Sequence, residues 1–161
     1  MAWTWQKEDA PRWDADRQRL FGDAELASVG LARPAAGAAV ADEWWRVTDD
    51  AGALVGYGWL DSEWGDARIS FVVAADRRGS GAGDFIVDHL EAESRRRGLN
   101  YIYNVVPESH PDGAWMTHWL SMRGFHRSGR GDLRRQVRSA PATGTAAAGG
   151  PFPNPSTQGE R

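Results

Sequence analysis

The chain has 161 residues, the length of one ordinary domain, and a hydrophobic fraction of 41% with nine tryptophans gives it enough apolar surface for a core, which sets aside a disordered chain. Its net charge of −3 argues against nucleic acid as the main partner, because neutralising phosphates takes a basic face. The absence of cysteine removes a disulfide framework, a thiol nucleophile and any thiolate metal site.

Lys7 is the only lysine, and arginines gather at Arg77-Arg78, Arg95-Arg96-Arg97 and Arg134-Arg135, clusters that read as solvated surface. No window approaches the roughly 18 consecutive apolar residues of a membrane span, and the first residues lack a signal-peptide core. A cytoplasmic protein with no membrane partner is the expectation.

In chain order, Trp3-Thr4-Trp5 alternates like an edge strand, and an amphipathic stretch from Trp13 to Leu31 follows as one helix or two short ones. Trp44 to Thr48 and Leu54 to Leu60 form a hairpin about the turn Asp49-Asp50-Ala51-Gly52. A second turn, Asp61 to Asp66, leads into the β-branched central strand Ile69 to Val73. After a Gly-rich loop, Asp84 to Arg97 reads as a helix: Phe85, Ile86, Val87 and Leu90 make its apolar side, Glu91–Arg95 and Glu93–Arg97 are i,i+4 pairs, and Gly98 ends it. Tyr101 to Val106 is a strand stopped by Pro107. Trp115, Trp119 and Met122, at i, i+4 and i+7, mark a helix from Asp112 to Arg123 with an inward stripe; Gly124 caps it and Phe125 starts a last strand toward Val137. The domain is expected over residues 1–138, and the Ala/Gly/Pro-rich stretch 139–161 reads as a disordered tail.

The chemistry concentrates in the loop between the central strand and the helix. A Gly-rich turn there leaves N–H groups pointing outward, and the helix dipole adds about half a positive charge, so an anion is its natural occupant. Glycines at 79, 81 and 83 let a diphosphate approach the backbone. A P-loop is disfavoured because Asp84-Phe85 follows instead of Lys-Ser/Thr, and a dinucleotide fingerprint because the spacing and the preceding hairpin are wrong for it.

Arg78-Gly79-Ser80-Gly81-Ala82-Gly83 resembles the Arg/Gln-x-x-Gly-x-Gly/Ala signature of the GNAT N-acetyltransferases, and Ile69 to Asp76 resembles the strand that leads into it. Trp119-Leu120-Ser121-Met122-Arg123-Gly124-Phe125 is similar to that family's Gly-Phe ending, so the resemblance covers residues 43–126. It implies an α/β fold of the α+β type: a mixed, mostly antiparallel central sheet with flanking helices and a splayed pair of parallel central strands. It also implies an acetyl-CoA or other acyl-CoA co-substrate and no metal; a small-molecule amine is the first expectation for the acceptor. The pyrophosphate would be held by the amides of Gly79, Ser80, Gly81, Ala82, Gly83 and Asp84 with Arg78 at the signature's basic position. A backbone amide at Val72 or Val73 would face the thioester carbonyl as oxyanion donor.

Two positions depart from the family pattern. Leu120 stands where many relatives carry a tyrosine acid, and Arg68 is nearest to the place of their glutamate. Asp61, Glu63 and Asp66 remain as carboxylates that burial would have to tune, His110 as a proton relay and Tyr103 as a replacement acid; Glu63 and His110 are the catalytic candidates. Asp84 would repel a phosphate, and its side chain is expected to turn to solvent. The expected reaction is acetyl transfer to a primary amine by a monomer or homodimer. Acylation of a protein N-terminus or biosynthetic intermediate, and a non-catalytic CoA-binding regulatory domain, are the alternatives.

Overall fold

The structure, a computed structural model, describes residues 2–140. The tail expected over 139–161 therefore lies, from residue 141 onward, outside the described residues. Among the described residues seven strands form one open sheet: β1 (Thr4–Lys7), β2 (Glu43–Thr48), β3 (Leu54–Glu63), β4 (Asp66–Val73), β5 (Tyr101–Asn104), β6 (His126–Arg127) and β7 (Leu133–Gln136), in the order β1-β2-β3-β4-β5-β7-β6. Every neighbouring pair is antiparallel except β4 with β5.

Among the described residues four α-helices cover the two faces: α1 (Ala15–Leu20), α2 (Asp23–Val29), α3 (Ala82–Arg96) and α4 (Gly113–Ser121). On one face Ile86 and Leu90 of α3 and Leu120 of α4 share a core with Trp45, Val47, Ile69, Ile102 and Leu133. On the other, Trp13, Phe21 and Leu26 pack against Trp44, Tyr57, Trp59 and Val72. The adjacent Trp44 and Trp45 are both buried because successive strand residues point to opposite faces. Each then finds a stacked partner: Trp44 on Trp59 at 4.0 Å between centroids, Trp45 on Trp5 at 5.5 Å. Gly58 is required by this packing, because a Cβ there would sit 2.6 Å from Ile86. Arg17 is fully buried, its guanidinium 4.6 Å from the Trp44 and Tyr57 ring centroids and hydrogen-bonded to Glu8, Asp14 and the Arg12 carbonyl.

Several boundaries differ from the sequence expectations. The turn expected over 61–66 shrinks to Trp64-Gly65, both at positive φ as a two-residue hairpin turn demands, so Asp61 and Glu63 belong to β3 and Asp66 to β4. The acidic residues looked like a loop because this end of the hairpin projects past the core into solvent. The last strand is instead the hairpin β6–β7, with β7 inserted beside β5. In α4 the inward residues are Met116, Trp119 and Leu120, while Trp115 and Met122 are exposed, so the stripe read at 115, 119 and 122 is correct only at 119.

The parallel pairing of β4 with β5 covers only Ala67–Ile102 and Arg68–Tyr103, after which the strands separate. At that fork the Asn104 side chain takes over from the backbone: its Nδ2 donates to the Ile69 carbonyl at 2.9 Å, and the residue is buried. Asn104→Leu strands that carbonyl without a partner and is expected to lower unfolding free energy by about 1–3 kcal/mol in urea denaturation. A change below about 0.5 kcal/mol would show that Asn104 does not hold the fork.

Candidate active site

Beyond Val73 the chain makes one turn at Ala75–Arg77 and runs extended through Arg78; Gly79 and Gly81 then take φ of 76° and 88° before α3 begins. Only glycine holds such angles without strain, and a Cβ at either position would meet no atom within 4 Å, so both glycines face open space. In this loop the Ser80 N–H bonds weakly to the Arg77 carbonyl at 3.3 Å. The N–H groups of Gly79, Gly81, Ala82, Gly83 and Asp84 have no partner among the described residues.

Two of the other helices, α1 and α4, carry side-chain caps, whereas the short α2 starts, like α3, at an uncapped glycine, Gly22. Asp14 caps α1 by accepting from Arg17 N at 2.9 Å, and Asp112 caps α4 by accepting from Trp115 N at 3.3 Å. At α3 the cap position is Gly81, which has no side chain to offer. The first turn thus keeps its free donors and the positive end of its dipole, the combination that binds anions.

The fork between β4 and β5 opens toward this loop. Ala74 N–H donates to the Val55 carbonyl at 2.8 Å, so by the alternation of an antiparallel ladder Val72 also faces β3. Phe71 and Val73 are turned the other way, on the same side as the Ile69 carbonyl that Asn104 reaches. Of the two amides expected to face a thioester, the alternation selects Val73 and commits Val72 to the β3 ladder.

The side chains named from sequence divide between the two ends of the sheet. Arg78, largely exposed, reaches Glu25 of α2 at 3.3 Å, and Arg77 pairs with Asp49 at 2.6 Å. His110 follows β5 at the fork's open end, where its Nδ1 accepts from the Asp112 N–H at 2.8 Å. Burial pushes its pKa down, so at neutral pH the ring is uncharged and its remaining proton sits on Nε2. It therefore presents an N–H rather than a lone pair.

Glu63 stands at the other end, accepting from the Tyr103 hydroxyl at 3.3 Å. Burial first, then the neighbouring carboxylate, raises the Tyr103 pKa. Glu63 pairs with Asp66, and at about 3.3 Å per residue the run from Asp66 to Val73 is about 23 Å. The structure thus does not bring Glu63 together with His110 or with the Val73 amide. Leu120 is fully buried and Arg68 is exposed, so neither supplies the missing acid or base.

The Asp84 side chain is half exposed, as a turn toward solvent requires, but it is not free. Arg123 donates to both of its oxygens, Nη2 at 2.8 Å, and this partner holds the carboxyl below its usual pKa. Gly83 is constrained in turn, since a Cβ there would lie 3.2 Å from the Trp119 ring. Sequence reading missed both the Arg123 pairing and the Asn104 bridge; the one available signal was a basic residue directly before Gly124. Among the described residues no group of three His, Asp or Glu gathers as a metal site, and no helix is long and apolar enough to cross a membrane.

The chain matches no curated protein. Among solved structures it is similar to a GNAT superfamily phosphinothricin acetyltransferase from Sinorhizobium meliloti in complex with AcCoA, at 16% identity and a TM-score of 0.57 over 91% of this chain and 97% of that one. It is also similar to an acetyltransferase of the GNAT family from Staphylococcus aureus Mu50, at 14% identity and a TM-score of 0.52 over 60% and 68%, and to a nourseothricin acetyltransferase, at 16% and 0.51 over 60% and 66%. At these identities the likeness is one of fold. The model of the acetyltransferase (GNAT) family matches residues 2–120, most of the sequence, and on that match this chain belongs to the GNAT acetyltransferase family.

Proposed function

We propose that the chain transfers an acetyl group from acetyl-CoA to the primary amine of a small molecule. The observation that carries the reading is the set of unpartnered amides at Gly79 and Gly81 to Asp84, opening where β4 and β5 part. The residues present fit the co-substrate: main-chain donors and a helix dipole suit a diphosphate, glycines leave it room, and the fork admits a narrow pantetheine arm alongside β4. Two of the similar structures, a phosphinothricin and a nourseothricin acetyltransferase, bear the names of small molecules, which supports an acceptor of that class.

In this reading the amine nitrogen attacks the thioester carbonyl carbon, a C–N bond forms, and negative charge gathers on the carbonyl oxygen. The Val73 N–H donates to that oxygen, a fixed donor of the kind worth about 2.7–4 kcal/mol in the transition state. The C–S bond then breaks, the thiolate leaves, and the proton lost by the nitrogen ends on sulfur or in solvent. Holding both reactants in the fork supplies much of the acceleration even without a strong base. His110 serves this end of the site as a hydrogen-bond donor through Nε2. The Glu63–Tyr103 pair is left to the distal part of an acceptor, beyond reach of the thioester.

Calorimetric titration with acetyl-CoA is expected to give saturable binding; none at millimolar ligand sinks the reading. Gly81→Trp puts a large ring in the open space of the loop and is expected to abolish binding while the folded circular dichroism spectrum persists. Unchanged affinity would place the coenzyme elsewhere. His110→Ala is expected to lower kcat about tenfold or more with little change in KM for acetyl-CoA. A kcat equal to that of the unmutated protein contradicts the role given to its ring.

A further inference from the structure

Asp84 is the third residue of α3, in the turn whose amides are left open. A carboxylate there complements the helix dipole, yet it carries the same charge as the diphosphate that the turn is proposed to hold. Left free, it would compete for the amides and repel the ligand. The structure shows how the conflict is resolved. Arg123, just past α4, grips the Asp84 carboxylate with Nε and Nη2, the second bond at 2.8 Å. Its third nitrogen, Nη1, donates to the Trp119 carbonyl at 3.0 Å, and the guanidinium lies 3.5 Å from the Trp119 ring centroid. The same ring abuts Gly83, so the guanidinium plane is fixed by contacts on α4 and α3 together. Its hydrogen bonds thus run to Asp84 and Trp119, 39 and 4 residues away in the chain.

We infer that Arg123 is a positioning residue for coenzyme binding: it draws the Asp84 carboxylate away from the first-turn amides of α3 and cancels its charge, so that these amides stay available to a diphosphate. The inference rests on the acetyl-CoA reading given above. It assigns a job to a pair on which acetyl transfer itself makes no demand, and it accounts for an acidic residue in an anion-binding turn. The bidentate fork is central, since a planar guanidinium can hold both oxygens at once whereas an ammonium cannot. Trp119 and Gly83 act one step further out, by keeping that fork in plane.

The charge logic predicts an order. Arg123→Gln leaves one uncompensated negative charge beside the loop and weakens CoA binding by about tenfold or more at low ionic strength, less in high salt. Asp84→Asn leaves an uncompensated positive charge and tightens binding by about threefold. The double variant is neutral again and returns to within about threefold of the unmutated protein. Calorimetry with CoA on the four full-length proteins, at two salt concentrations, reads all of this. Recovery in the double variant, together with the salt dependence, separates electrostatic positioning from a merely structural role.

A double variant as weak as Arg123→Gln, or an Arg123→Gln protein that binds CoA normally, overturns the inference. Should Arg123→Gln fail to fold, Arg123→Lys with and without Asp84→Asn makes the same comparison, the single variant being expected to bind about threefold more weakly than the pair. Equal affinities there also overturn it. Failure of the unmutated protein to bind CoA overturns the acetyl-CoA reading instead, so the two outcomes are distinguishable.

Discussion

Buried backbone N–H groups are seldom left unpaired in a folded protein, and two adjoining places in this structure leave main-chain donors open. The ladder between β4 and β5 stops after Arg68–Tyr103, and α3 starts without a side-chain cap. In the proposed function both gaps face a ligand bound by main chain, and neighbouring residues bear on how each gap is held. Asn104 bridges the fork to the Ile69 carbonyl and satisfies an acceptor that separation would otherwise orphan. Gly79 and Gly81 hold left-handed angles that turn the loop's amides outward.

The aromatic wealth of the chain serves chiefly to make that geometry rigid. Trp13, Trp44, Trp45 and Trp59 are buried, in cores on opposite faces of the sheet, and stacked pairs join β1 to β2 and β2 to β3. Arg17, enclosed by Trp44 and Tyr57 and neutralised by Glu8, locks the N-terminal helices onto the face opposite α3. Trp119 spends its surface differently. It bridges α4 to Gly83 and Phe71, next to the proposed diphosphate site.

Local signals carried well into the structure and non-local ones did not. The Gly-rich loop, the helix after it and the hairpin before it were legible because their causes lie within a few residues: positive φ, a 3.6-residue apolar period, alternation with a turn. The family resemblance added the fork, which periodicity cannot show. The turn at Trp64-Gly65 was misplaced because three acidic residues imitate a loop wherever strands run out into water. The pairing of Asp84 was not legible for a deeper reason, since its partner Arg123 lies 39 residues downstream and only the docking of α4 beside α3 unites them. Glu63 and His110 looked equivalent as proton carriers in sequence, yet β3 and the loop after β5 deliver them to opposite ends of the sheet.

The most direct measurement is amide NMR on 15N-labelled protein titrated with CoA. The account predicts that the largest shifts fall on Gly79, Gly81, Ala82, Gly83 and Asp84, with a second group at Phe71 and Val73, while the Val72 amide, committed to β3, moves little. Saturable CoA binding that leaves residues 79–84 unperturbed would contradict the account at its root.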